Sequence, residues 1–203
     1  MLAGVVLAGG KSSRMGTDKS LLTLPDSHLS LLEHSQKKLA LLCNTNVFIS
    51  GSQHNNGIAD IIPNCGPLSG IHGAITHIEM YHPDMSELLV VAVDMPDLGT
   101  DNLNHLLTVG REKHCLCAFE NCYLPLYIPL SVEVTEYLDR VLKAQSVEAI
   151  MQPKQQRFSV KVMLDSLQGL QIQPLKKAQL DNINTPVQWQ QRCSQPPFTK
   201  AYK

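Results

Sequence analysis

Two stretches of this chain end apolar runs with residues able to do chemistry. The first follows Gly4–Leu7 and reads Leu7-Ala8-Gly9-Gly10-Lys11-Ser12-Ser13-Arg14-Met15-Gly16-Thr17-Asp18-Lys19. Adjacent glycines let a backbone approach a ligand closely and aim N–H groups at it. Arg14 adds a fork of donors and Lys19 a compact mobile charge. The set suits a triphosphate, and its alternative is a charged surface loop. The second stretch is Asp94-Met95-Pro96, closing the run Leu88–Val93. A carboxylate at the carboxyl edge of a buried parallel strand sits where open α/β sheets bind ligands. It is the hard oxygen donor that Mg²⁺ on a triphosphate requires, or else a cap for the next turn.

The glycine-rich loop is neither of two common phosphate cradles. Gly10-Lys11-Ser12 imitates the end of a P-loop, but the preceding glycine, Gly4, lies one position too far away and inside the predicted strand. Gly9, Gly10 and Gly16 do not have the G-x-G-x-x-G spacing of a dinucleotide site. The eight histidines form no H-E-x-x-H or similar spacing. His72, after Gly70, reads as a surface or core residue, with a place lining the pocket as the alternative. Cys115-Leu116-Cys117 fits alternation along a strand better than a metal pair. Nothing beside Ser12 and Ser13 nominates a base that would make either a nucleophile.

Elements able to position these groups are legible as alternating strands and helices. Gly4–Leu7, Asn46–Ser50, Leu88–Val93 and Cys115–Phe119 read as buried strands. Ser30 and Glu33 are spaced as a capping box before a helical face of Leu31, Leu32, Leu39 and Leu42. Thr100 is placed to cap a helix carrying Leu103, Leu106 and Leu107. Val134, Leu138, Val141 and Leu142 form a further stripe after Ser131. The order predicts an α/β domain with a mostly parallel central sheet flanked by helices. Residues 1–191 read as one domain, and 192–203 as a frayed tail.

Bulk properties narrow the partners. The 203 residues include 43% hydrophobic ones, enough for a sizeable core, and 17 basic against 18 acidic side chains leave a net charge of −1. No global field recruits nucleic acid or a membrane surface, so anion binding must be local. The six cysteines (Cys43, Cys65, Cys115, Cys117, Cys122, Cys193) contain no C-x-x-C pair and read as free thiols. With no signal-peptide pattern and no apolar run of spanning length, a soluble, cytoplasmic protein is expected.

The ungapped string LAGGKSSRMGTDK resembles the signature L-A-G-G-x-S-x-R-M-G-x-D-K of the MobA-type nucleotidyltransferases, typified by molybdenum cofactor guanylyltransferase. Gly66-Pro67-Leu68-Ser69-Gly70 resembles the family's G-P-L-x-G, Val91-Ala92-Val93-Asp94-Met95-Pro96 its strand-end Asp-x-Pro, and Asn182-Ile183-Asn184-Thr185-Pro186 its C-terminal element. Together these span residues 7 to 186.

The resemblance implies a single-domain, Rossmann-like nucleotidyltransferase fold. It implies transfer of GMP from GTP to the terminal phosphate of molybdopterin carrying molybdenum, with release of pyrophosphate and formation of the guanine dinucleotide cofactor. By the same resemblance, Lys19, Arg14 and Asp94 are catalytic and Asp94 holds Mg²⁺. The nucleotide is contacted by Leu7, Ala8, Gly9, Gly10, Lys19, Asp60, Gly66, Pro67, Leu68, Gly70 and Asp94, and by Asn182 or Asn184, between which spacing does not choose. Molybdenum-insertion or molybdoenzyme chaperone proteins are implied partners, with a monomer or weak oligomer as the state. Cytidylyl relatives tend to show L-A-A-G and D-Q-P instead, which favours the guanylyl side. A sister transferase and an inactive nucleotide-binding relative are the competing readings. Ser20, where glycine is frequent in the family, is a departure. So are Phe119–Tyr127, matching only through Pro125-Leu126, and the unplaced stretch Gln152–Phe158.

Overall fold

The computed structural model describes residues 1–9, 15–148 and 159–194. A six-stranded sheet runs through the molecule in the order β2-β1-β3-β5-β4-β6. The strands are β1 (Leu2–Leu7), β2 (Val47–Ser50), β3 (Glu87–Ala92), β4 (Cys117–Phe119), β5 (Cys122–Pro129) and β6 (Leu170–Ile172). The pairs β1/β2, β1/β3 and β4/β6 are parallel, and β5 alone runs against its neighbours. Helices α1 (Leu31–Cys43), α2 (Pro67–Tyr81), α3 (Thr100–Lys113), α4 (Val132–Glu148), α5 (Val160–Ser166) and α6 (Pro186–Cys193) complete it. This is the single α/β unit with a mostly parallel sheet that the alternating pattern predicts.

Strand alternation divides the core into two layers. Ala3, Val5, Leu88 and Val90 face the layer that holds Leu68, Ile71 and Ile75 of α2 with Leu138 and Leu142 of α4. Leu2, Val6, Leu89 and Val91 face the opposite layer, with Leu31 and Leu39 of α1 and Leu103, Leu106 and Leu107 of α3. Both faces of β1 and β3 are therefore apolar, and these central strands read as continuous hydrophobic runs.

The capping box of α1 forms as its spacing predicts: Ser30 Oγ accepts from the Glu33 N–H at 3.2 Å and Glu33 Oε2 accepts from the Ser30 N–H at 2.8 Å. Two expectations need correction. Thr100 is not a cap but the first residue of α3, and Gly99 occupies the cap position without a side-chain bond. Strand β5 lies where no strand is predicted, because Pro125 and Pro129 argue against a central strand. The pairing with β4 jumps from Ala118↔Leu126 to Phe119↔Cys122. Tyr123, Leu124 and Pro125 bulge out of the ladder, so the missing proline N–H breaks no bond there.

The chain also stays helical past 191. Arg192 is buried in α6, and α6 continues to Cys193, whereas a frayed tail is expected from 192. The rest of that stretch, 195–203, and residues 152–158 lie outside the described residues. All six cysteines are free thiols. Among the described residues, no helix is long and apolar enough to cross a membrane.

Candidate active site

Parallel register brings the two chemical stretches side by side. Leu7 pairs with Ala92, the Val93 N–H donates to the Leu7 carbonyl at 3.1 Å, and the Ala8 N–H donates to the Ser50 carbonyl at 2.9 Å. The carboxyl ends of β2, β1 and β3 thus form one rim. The connection from β1 runs outward to β2 and the next one returns past β1 to β3 with its helix on the opposite face, so a crevice opens at this reversal. A cleft of about 630 Å³ occupies this place, lined among others by Ala8, Gly9, Lys19, Asp60, Gly66 and Asp94.

Asp94 is held from two sides at once, by Lys19 and by the neighbouring residues Asn182 and Ile183. Lys19 Nζ stands 2.9 Å from Asp94 Oδ2, and Asn182 Nδ2 donates to Asp94 Oδ1 at 3.2 Å. The Ile183 N–H donates to the Asp94 carbonyl at 2.9 Å. Asn184 Oδ1 accepts from Lys19 Nζ at 2.8 Å. The two asparagines therefore divide the work, one on the carboxylate and the other on the ammonium. The Lys19 and Asp94 side chains retain only 13% and 16% of their exposure, which strengthens their attraction relative to a surface pair. Asp18 accepts from the Ser20 N–H at 3.0 Å, capping the short 3-10 helix Lys19–Leu21 that carries the lysine.

The opposite wall is the start of α2. Gly66 takes the cap position at φ 63°, and Pro67 stands in the first turn, as Pro prefers. A helix start carries backbone N–H groups without intrahelical partners and a partial positive charge, both suited to an anion. Gly70 lets α2 lie against the sheet: a Cβ there would collide with Ser50 Oγ and come 3.0 Å from Leu7 Cδ2. Asp60 stands on the exposed lip, where partial burial of its carboxyl raises its pKa above the ordinary carboxylate value.

Leu7, Ala8, Gly9, Lys19, Asp60, Gly66, Pro67, Gly70, Asp94 and Asn182 all line this cleft. Leu68 is different: its side chain is fully buried in the core layer of α2, so it offers the cleft no side-chain contact. Asn184 reaches the site through Lys19. Gly10 and Arg14 lie outside the described residues. His72 is buried and bonds Asp139 of α4 at 2.8 Å, a tie between two helices.

Sequence reasoning missed Ser50, Pro63, Asn64 and Leu124 on the cleft wall. Ser50 carries the same signal as Asp94, a polar residue closing an apolar strand at the sheet rim. Leu124 is hidden because it stands in the proline-containing bulge. Also missed are Gln53, whose Nε2 donates to the Ala8 carbonyl at 2.9 Å, and His54, whose Nε2 lies 3.3 Å from the same oxygen.

The constellation joins a half-buried cation, a carboxylate and helix-start amides in one cleft, which can bind a polyphosphate and stabilise charge on it. Comparison with known proteins agrees with this chemistry. Residues 4–159 match the MobA-like NTP transferase domain. The molybdenum cofactor guanylyltransferase of Xanthomonas euvesicatoria is 38% identical over 189 residues, covering 92% of this chain and 91% of that protein. The enzyme of the same name from Sinorhizobium fredii is 29% identical over 91% of this chain and 87% of its own length. The crystal structure of molybdopterin-guanine dinucleotide biosynthesis protein A from Archaeoglobus fulgidus superposes with a TM-score of 0.66 at 22% identity, covering 95% of this chain and 96% of that one, and so shares the fold. The chain belongs to the MobA-like NTP transferase family and is a nucleotidyltransferase.

Proposed function

We propose that this nucleotidyltransferase moves GMP from GTP onto the terminal phosphate of molybdopterin carrying molybdenum. An oxygen of the acceptor phosphate attacks the α-phosphorus, the bond from the α-phosphorus to the bridging oxygen of the β-phosphate breaks, and pyrophosphate leaves with that electron pair. The product is molybdopterin guanine dinucleotide. The acceptor is already anionic at neutral pH, so the step needs no strong general base. Catalysis rests on positioning and charge stabilisation. The carrying observation is the Lys19–Asp94 pair, held by Asn182 and Asn184 at the sheet rim. The names of the two sequence relatives support guanylyl transfer and this acceptor.

The donor set fits a magnesium ion that arrives with the nucleotide. Asp94 supplies one carboxylate beside an amide side chain, and the described residues hold no cluster of three or more His, Cys, Asp or Glu able to cage a metal. Mg²⁺ takes one or two protein carboxylates and completes its shell with phosphate oxygens and water. Asp94 would hold it, and the ion would neutralise charge on the reacting phosphates. Lys19 and Arg14 hold the triphosphate and stabilise the departing pyrophosphate, while the Gly9 and Gly10 amides and the start of α2 fix its orientation.

Calorimetric binding of GTP, CTP, ATP and UTP with Mg²⁺, on the wild type and on Asp94→Ala, tests the reading. Selective GTP binding that weakens in the variant supports it. Preference for CTP moves the function to a sister transferase, and absence of binding favours an inactive relative.

A further inference from the structure

The turn that carries Asp94 is gripped on the side away from the cleft by a buried charged cluster that the site above does not use. Arg192 Nε donates to Asp97 Oδ1 at 2.7 Å and to Oδ2 at 2.8 Å, and Arg192 Nη2 lies 3.5 Å from Asp26 Oδ2. The Arg192 and Asp97 side chains are 9% and 11% exposed. From α1, His34 Nε2 stands 2.9 Å from the Pro96 carbonyl, and Lys38 Nζ donates to the same oxygen. Three side chains thus converge on Pro96 and Asp97, two and three residues after Asp94, and Asp26 backs Arg192 from behind.

These contacts close a ring. Starting at Asp94, the chain turns to Asp97, which binds Arg192 near the end of α6. The start of α6 is locked by a capping box in which Gln188 Oε1 accepts from the Asn184 N–H at 2.8 Å and the Thr185 N–H at 3.0 Å. Just before it, Asn182, Ile183 and Asn184 return to Asp94 and Lys19. Helix α6 is the strut between the two ends. Removing one partner of a buried pair is destabilising because the other charge loses its compensation, so loss of Arg192 weakens the seat of the strut.

We propose that Arg192 is a positioning residue: through Asp97 and α6 it fixes the Asp94 carboxylate against Asn182 and the Lys19 ammonium. Its consequence for the metal rests on the function proposed above. Its consequence for the geometry of Asp94 does not.

The test compares wild type, Arg192→Gln, Arg192→Lys and Leu138→Ala in the full chain. Leu138 lies in the core layer on the other face of the sheet, so Leu138→Ala controls for general destabilisation. Two quantities are read: hydrogen exchange at the Ile183 amide without nucleotide, and the Mg²⁺ concentration that half-saturates GTP binding. Loss of a partner that orients a metal ligand costs about 10-fold to 100-fold in metal affinity. In Arg192→Gln we expect faster Ile183 exchange than in Leu138→Ala and a half-saturating Mg²⁺ concentration raised about 10-fold, with Arg192→Lys intermediate. If Arg192→Gln matches Leu138→Ala in both, or if wild-type binding depends on Mg²⁺ and exchange rises in Arg192→Gln while that dependence is unchanged, the positioning role is overturned. Should Arg192→Gln not fold, Gln188→Ala loosens the other end of the strut, and the same two readings decide. Exchange needs no nucleotide, so it decides the ring even if wild-type GTP binding is indifferent to Mg²⁺, a result that overturns the metal reading instead.

Discussion

The Lys19 ammonium and the Asp94 carboxylate stand 2.9 Å apart although they enter the site from the loop after β1 and from the end of β3. Each compensates the other in a partly shielded place, and each also has an asparagine partner. On the proposed function, a triphosphate and its metal would loosen this pair, since phosphate oxygens would compete for the ammonium and the metal for the carboxylate. The pair and its two asparagines hold both groups in fixed orientation.

Replacing either member should therefore reduce turnover far more than stability. We expect Lys19→Met and Asp94→Asn each to lower kcat by about 10²- to 10³-fold, as for other charges that act on the transition state. Circular dichroism and thermal unfolding should report a folded protein. Near-normal turnover in either variant would remove that residue from the mechanism.

The two asparagines should separate kinetically. Asn182 bonds the carboxylate, so Asn182→Ala is expected to raise the Mg²⁺ concentration that half-saturates GTP binding. Asn184 bonds Lys19 instead, so Asn184→Ala is expected to act on triphosphate affinity at saturating Mg²⁺. Metal and nucleotide titrations on both variants check this, and identical profiles would contradict the division.

Helix α2 should not tolerate a methyl group at its closest approach to the sheet. A Cβ at residue 70 would press on Ser50 Oγ and Leu7 Cδ2, and overpacking of this kind costs about 1–3 kcal/mol. We expect Gly70→Ala to lower the urea midpoint and raise KM for the nucleotide. Adding Ser50→Gly should recover part of the stability, which a double-mutant cycle would measure.

Acid sensitivity should be traceable to His34. Burial, aided by the neighbouring Lys38 charge, pushes its pKa down from 6.5 to about 4, against the opposing pull of the Pro96 carbonyl and Asp26. Between those values the unfolded chain binds the proton and the folded chain does not, so stability rises with pH from about 4 to 6.5 and its loss is complete below 4. The buried Nδ1 has no hydrogen-bond partner among the described residues, which is consistent with a neutral ring. Lys38 behaves in the same sense at higher pH: burial pushes it down to about 7, so stability should rise again between about 7 and 10.5. Urea midpoints measured across both windows should lose the first slope in His34→Gln and the second in Lys38→Met.

The sequence made the two chemical stretches and the central strands legible because each signal is local. An apolar run shows a strand, its final polar residue shows the rim, and Ser30 with Glu33 shows the start of α1. What escaped depends on contacts between distant segments. Strand β5 is concealed by Pro125, whose cost vanishes only once the bulge at Tyr123–Pro125 exists, and by Pro129, which closes the strand opposite Glu87. Arg192 looks like tail until Asp97, 95 residues earlier, is beside it. The distinct positions of Asn182 and Asn184 follow from which side of the Lys19–Asp94 pair each one meets, and spacing within five residues carries no trace of that.

Guanylyl transfer itself is tested most directly by turnover. The wild type, Mg²⁺ and molybdenum-loaded molybdopterin would be incubated with GTP and CTP together, and the dinucleotide product separated and weighed by mass spectrometry alongside released pyrophosphate. Formation of the guanine dinucleotide in equal amount to pyrophosphate, abolished in Asp94→Asn, is the expected result. A cytosine product, or pyrophosphate release that does not depend on the molybdopterin acceptor, would contradict it.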